Sequence, residues 1–183
     1  MSGLTLAVAL ALAQTCAPSV APETLLSLAW TESGLNTDAP HVNRNGTRDF
    51  GIAQINESNL VRLGLTRETA LDPCRSLAAA AQVLIENYHP ANNTPVAQQA
   101  ALRVTLAAYN AGPRGGPNLG YVRKVEAAAQ QVIPAIEVAA GQPGLAAAPE
   151  APPAPPPVLD VTIRPASSGR EQVFTNFTRG TKP

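Results

Sequence analysis

Glu32 is the residue around which chemistry can be built. It stands at the end of an apolar helical stretch, Pro22–Trp30, and Ser33-Gly34 follows it as a natural break. A carboxyl leaving a hydrophobic face for a cleft is partly desolvated. Desolvation raises its pKa, and a carboxyl with a raised pKa is a general acid near neutral pH. One glutamate at a helix end is more often a solvated charge, so the weight rests on its company. Three further segments supply it: Gly51-Ile52-Ala53-Gln54-Ile55-Asn56, Ala107-Ala108-Tyr109-Asn110-Ala111-Gly112-Pro113 and Gly120-Tyr121-Val122-Arg123-Lys124-Val125. Each joins a permissive glycine to neutral hydrogen-bonding side chains. Gln, Asn and Tyr match the hydroxyls and acetamides of a sugar. The chain has no phosphate loop, no metal-spaced histidine pair and no Ser-His-Asp set. His41 and His89 read as unpaired loop residues, and neither a metal nor a cofactor is expected.

These residues need a helical scaffold. Leu4–Gln14 is apolar, and Pro22 suits the first turn of a helix carrying Leu25, Leu28 and Ala29 on one face. Asn56 can cap a helix over Glu57–Leu63 that stops at Gly64. Ser76–Tyr88 is periodic, Thr94-Pro95 starts a helix running to about Tyr109, and a last helix begins at Asn118 or Gly120 and ends before Pro134. Leu77, Leu84, Leu102, Leu106 and Trp30 are the expected core. Alternation is short and β-branched runs are absent. The expected fold is therefore mainly α, with at most a short hairpin in the polar stretch Asn36–Gln54.

The 183 residues are 45% hydrophobic, enough for one core, and only 14% charged. Thirteen basic residues balance thirteen acidic ones, so no footprint for nucleic acid exists. No apolar run reaches the roughly 18–20 residues of a membrane span. Ten of the eighteen prolines fall between Pro134 and Pro183. The expected organisation is a domain over residues 1–136, an Ala/Pro-rich extended linker over 137–157, and a disordered tail over 158–183. Within the tail, the apolar island Val173-Phe174-Thr175-Asn176-Phe177 has the character of a docking peptide.

The N-terminal segment has two readings. Leu4–Ala13 has the length of a signal-peptide apolar region, and Ala11-Leu12-Ala13 fits small-x-small cleavage, but no Lys or Arg precedes it. The preferred reading is the first helix of the domain. Cys16 and Cys74, the only cysteines, are either a bridge, which requires an oxidising compartment, or two buried free thiols.

In order and spacing, these segments resemble the lysozyme-like lytic transglycosylases that cleave bacterial peptidoglycan, and in particular the small subfamily serving type IV secretion and conjugative transfer. The resemblance covers about residues 4–133 and includes the Cys16-Ala17-Pro18 and Asp72-Pro73-Cys74 runs. It implies a lysozyme-like helical domain acting in the periplasm. Glu32 matches the family's catalytic acid and Ser33 the residue that follows it. Gln54, Tyr109, Asn110 and Tyr121 match positions lining the glycan cleft, and Ser33 and Asn56 are expected to bind substrate beside them. The family's common Gly-Leu-Met-Gln is Gly51-Ile52-Ala53-Gln54 here, without the methionine, and the loop His41–Phe50 departs from the usual form.

By resemblance, Glu32 alone serves as acid and base, and the product is a 1,6-anhydro sugar. The partners implied are peptidoglycan glycan strands and secretion-system components reached through Val173, Phe174 and Phe177. Two rivals stand beside this reading. A lysozyme-type hydrolase would need a second carboxylate, for which Asp49 and Asp38 are candidates. A mainly wall-binding subunit of a secretion apparatus would need no catalysis at all.

Overall fold

The computed structural model describes residues 3–38, 41–112 and 116–141, with the backbone of 160–164 and 173–177. Its centre is α2 (Pro22–Ser33), which opens on Pro22 in its first turn and buries Thr24 through Ala29 without interruption. A helix apolar on nearly every side must be wrapped by others. Here α1 (Leu6–Cys16), α4 (Pro73–Asn87) and α6 (Leu119–Ala140) do the wrapping, and α5 (Pro95–Ala111) packs on α4 and α6. Thr5, Asp72, Thr94 and Asn118 cap α1, α4, α5 and α6 with side-chain oxygens. The short α3 (Arg67–Ala70) carries a capping box from Thr66 and Thr69.

The N-terminal segment is a helix of the domain. Ala9, Leu10 and Ala13 are buried, and the Leu4 N–H reaches the Leu35 carbonyl at 2.9 Å. Cys16 at the end of α1 is bridged to Cys74 in the first turn of α4, with Cα atoms 5.4 Å apart. Of the two alternatives for the cysteines, the structure holds the bridge.

Four details differ from expectation. The last helix does not end before Pro134 but continues to Ala140, so the boundary at residue 136 falls inside it. Pro134 lies on the exposed side, while Val132, Ile133, Ile136 and Ala139 stay buried. Apolar packing on one face thus carries the helix past a residue that breaks its hydrogen bonding on the other. Trp30 is 40% exposed rather than core, because α2 leaves the interior in its last turn. The expected hairpin is a three-stranded antiparallel sheet of β1 (His41–Val42), β2 (Arg48–Phe50) and β3 (Ile55–Asn56). His41 pairs with Asp49, and Asp49 with Asn56. Asn56 caps only a single 3₁₀ turn, Glu57–Asn59.

Most of the expected linker and tail lies outside the described residues. Within the tail, β4 (Asp160–Arg164) and β5 (Val173–Phe177) pair antiparallel, with β5 beside α5 and β4 beside α2 and α6. Among the described residues no helix is long and apolar enough to cross a membrane.

Candidate active site

The Gly51–Gln54 turn between β2 and β3 is what the helices converge on. Ser33, from α2, donates to the Ile52 carbonyl at 2.7 Å. Tyr109, from α5, donates to the Ala53 carbonyl at 2.7 Å. Ser76, fully buried in α4, accepts from the Ala53 N–H at 3.2 Å. Three hydroxyls from three helices therefore hold one turn of backbone whose own groups would otherwise be orphaned. Gln54 sits at φ +50° and donates its amide to the Gly51 carbonyl at 3.0 Å.

Gly51 itself is at φ +71°, and a Cβ there would stand 2.1 Å from the Ala70 carbonyl oxygen. Backbone cannot yield to that approach cheaply. G51A is expected to cost about 3 kcal/mol of stability. Urea denaturation checks it, and an unchanged midpoint would show that the turn relaxes without cost.

Beside the turn opens a cleft of about 480 Å³, lined by Glu32, Asp49, Gln54, Asn56, Tyr109 and Asn110 among others. Glu32 is half-buried in the last turn of α2. Its carboxyl is pushed up to about 7, first by burial and then by the Asp49 charge, against the opposing Tyr121 hydrogen bond and Lys124 charge. A place at the C-terminal, negative end of a helix acts in the same upward direction. Tyr121 is buried behind the cleft wall and donates its phenolic proton to Glu32 Oε1. Burial and the neighbouring Glu32 hold both Tyr121 and Tyr109 well above the ordinary phenol value, so each remains a donor. Asn118 joins the two helix ends: it caps Tyr121 at 3.0 Å and donates to Asn110 Oδ1 at 2.7 Å.

Of the two candidate second carboxylates, Asp38 is exposed in a local turn and takes no part in the cleft. Asp49 lines the cleft from β2 and is clamped: Asn43 donates to Oδ2 at 3.0 Å and Asn56 to Oδ1 at 2.7 Å. Asn56 also donates to Thr47 Oγ1 and accepts from the Ser58 N–H and hydroxyl. Its amide is thereby engaged on both sides, holding Asp49 in place and fastening the β-sheet. Ser33 likewise faces the turn rather than the cleft.

Asn43, Arg44, Asn45, Thr47 and Ser58 also line the cleft and were not singled out from the sequence as site residues. A signal existed in Asn45-Gly46-Thr47 and Asn56-Glu57-Ser58, each an Asn two residues before a hydroxyl. In both, the Asn side-chain oxygen accepts from the N–H and hydroxyl two residues on, the Asx-turn geometry such triplets favour. Among the described residues no acidic, histidine or cysteine cluster could hold a metal.

Comparison with known proteins bears on the whole arrangement. The chain is 41% identical over 147 residues to protein virB1 of Agrobacterium fabrum, an alignment covering 67% of this chain and 59% of that protein. It is 33% identical over 161 residues to the type IV secretion system protein virB1 of Brucella suis biovar 1, covering 70% and 67%. A lysozyme structure from Litopenaeus vannamei overlays on 48% of the chain and 74% of its own length, with 20% identity and a TM-score of 0.40. The family model described as the transglycosylase SLT domain matches residues 9–131. That span holds Glu32, the Gly51–Gln54 turn, Tyr109 and Tyr121, and the chain belongs to the SLT transglycosylase family.

Proposed function

We propose that the chain is a peptidoglycan lytic transglycosylase that cleaves the β-1,4 bond between N-acetylmuramic acid and N-acetylglucosamine, forms 1,6-anhydromuramic acid, and opens the wall for a type IV secretion or conjugation apparatus. The observation carrying this reading is Glu32: half-buried, poised at about 7, and bonded by Tyr121 in a cleft walled by neutral amides and hydroxyls. Because Oε1 accepts from Tyr121, the acidic proton belongs on Oε2. Glu32 gives that proton to the glycosidic oxygen as the C1–O bond breaks. The muramoyl acetamide oxygen closes on C1 and takes up the positive charge. The Glu32 carboxylate then removes the proton of the C6 hydroxyl, whose oxygen attacks C1 and displaces the acetamide. The proton has returned to Glu32 and no water has been consumed.

The secretion role is supported by the similarity to the two virB1 proteins, although the chain spans only 59% of the Agrobacterium one. A bridged Cys16–Cys74 pair supports a periplasmic site of action. Val173, Phe174 and Phe177, on the strand β5 that pairs with β4, are the proposed contact with secretion-system components. Digestion of purified sacculi followed by mass spectrometry tests the reaction: fragments ending in anhydromuramic acid support it, and reducing ends overturn it.

One observation favours a second reading, hydrolysis. Asp49 is an anchored carboxylate in the same cleft as Glu32, which is what a two-carboxylate glycosidase requires. Under the transglycosylase reading, Asp49 only stabilises the cationic intermediate and raises the Glu32 pKa. D49N is then expected to lower kcat about tenfold to a hundredfold while the residual products stay anhydro-ended. Reducing-end products from wild type that vanish in D49N would establish the hydrolase instead.

A further inference from the structure

Several neutral donors of the β-sheet wall of the cleft are spent within it. Asn43 gives both amide hydrogens to Thr47 Oγ1 and Asp49, and Asn56 does the same. The hydroxyls of Thr47 and Ser58 donate to Asn45 and Asn56. The charged donor on that wall is Arg44, in the turn between β1 and β2. Arg44 is exposed and takes no part in the ion pairs of the described residues, which are Arg62–Glu86, Arg67–Glu57 and Arg103–Glu126. It is the only cation among the described residues lining the cleft.

The turn that carries it is held still. The Asn43 N–H reaches the Thr47 carbonyl at 2.8 Å, and the Gly46 N–H the Asn43 carbonyl at 2.9 Å. Gly46, at φ +82°, allows the reversal. The guanidinium is carried on a hydrogen-bonded turn beside a cleft otherwise walled by neutral groups and two carboxyls. It presents planar paired donors, the geometry that carboxylates match.

The glycan backbone of peptidoglycan offers no anion of its own once its lactyl carboxyl is joined to peptide, whereas the stem peptide carries free carboxylates. We infer that Arg44 is a specificity residue that recognises a carboxylate of the stem peptide, so that the enzyme prefers peptide-bearing glycan to denuded strands. This inference rests on the transglycosylase reading and deepens it by naming the form of the substrate.

The test measures kcat and KM for wild type and R44Q on peptide-bearing glycan and on strands stripped of peptide by an amidase. R44Q is expected to lower kcat/KM on peptide-bearing glycan about threefold to tenfold more than on stripped strands. The loss should fall in KM, R44K should restore part of it, and added salt should narrow the gap. An equal loss on both substrates would show that Arg44 merely supports the turn. No loss on either would make it a solvated charge. Both outcomes overturn the inference while leaving the transglycosylase reading intact. That reading fails, and takes the inference with it, if wild type releases no anhydro product from either substrate.

Discussion

E32Q is expected to cut the release of anhydro-ended fragments from sacculi by about 10²–10⁴-fold, the contribution of a positioned acid and base. The amide keeps the shape of the carboxyl and still accepts from Tyr121 through its oxygen, but it can neither give the proton to the glycosidic oxygen nor recover one from the C6 hydroxyl. Binding to sacculi should therefore survive. Wild-type activity should fall as pH rises past about 7, since the first step needs the protonated carboxyl. The same substitution should act on stability with the opposite sign. Glu32 is raised from 4.5 to about 7 by folding. The unfolded chain thus releases this proton near 4.5 while the folded protein keeps it to about 7. Stability contributed by that difference is full below 4.5 and lost as pH climbs through 7. At pH 8 the folded protein holds a charge its surroundings disfavour, and E32Q removes it. The variant should be more stable than wild type by about 2–3 kcal/mol at pH 8 and equal to it at pH 4. Chemical denaturation at the two pH values reads the difference. Equal stabilities at both, with activity retained, would mean that Glu32 is neither strained nor catalytic.

What was legible in the sequence was which residue types gather at one place. A glutamate leaving an apolar helix, and Gln54, Tyr109 and Asn110 beside permissive glycines, converge on one cleft. What was not legible was how hydrogen bonds are shared out across the fold. Ser33 looks like a substrate contact because it adjoins the acid, yet its acceptor is a backbone carbonyl nineteen residues on. Asn56 looks like a sugar ligand, yet its amide is consumed by Asp49, Thr47 and Ser58. Such partners depend on the register of strands only two or three residues long, which alternation cannot reveal at that length. Pro134 misled for the reverse reason. Local propensity ends the helix there, and burial of Ile133, Ile136 and Ala139 carries it on.

The bridge between Cys16 and Cys74 ties the site to its compartment. It joins α1 to α4 across a sequence separation of 58 residues, and constraining a loop of that size in the unfolded chain is worth about 4 kcal/mol. Domains of this kind have a total of about 5–15 kcal/mol, so the bridge is a large share. The parts it joins are those that build the site: α4 supplies Ser76 to the Gly51–Gln54 turn, and α1 packs against α2, which carries Glu32. Both cysteines are half-buried and open to reductant. The double substitution C16S/C74S is expected to lower the unfolding free energy by about 4 kcal/mol, and dithiothreitol should bring wild type to the same urea midpoint while leaving the double variant unmoved. An unshifted midpoint in both cases would show that packing of α1 alone holds the helices. With the expected shift, reducing conditions weaken the scaffold of the proposed active site and oxidising ones lock it, in keeping with the proposed periplasmic action.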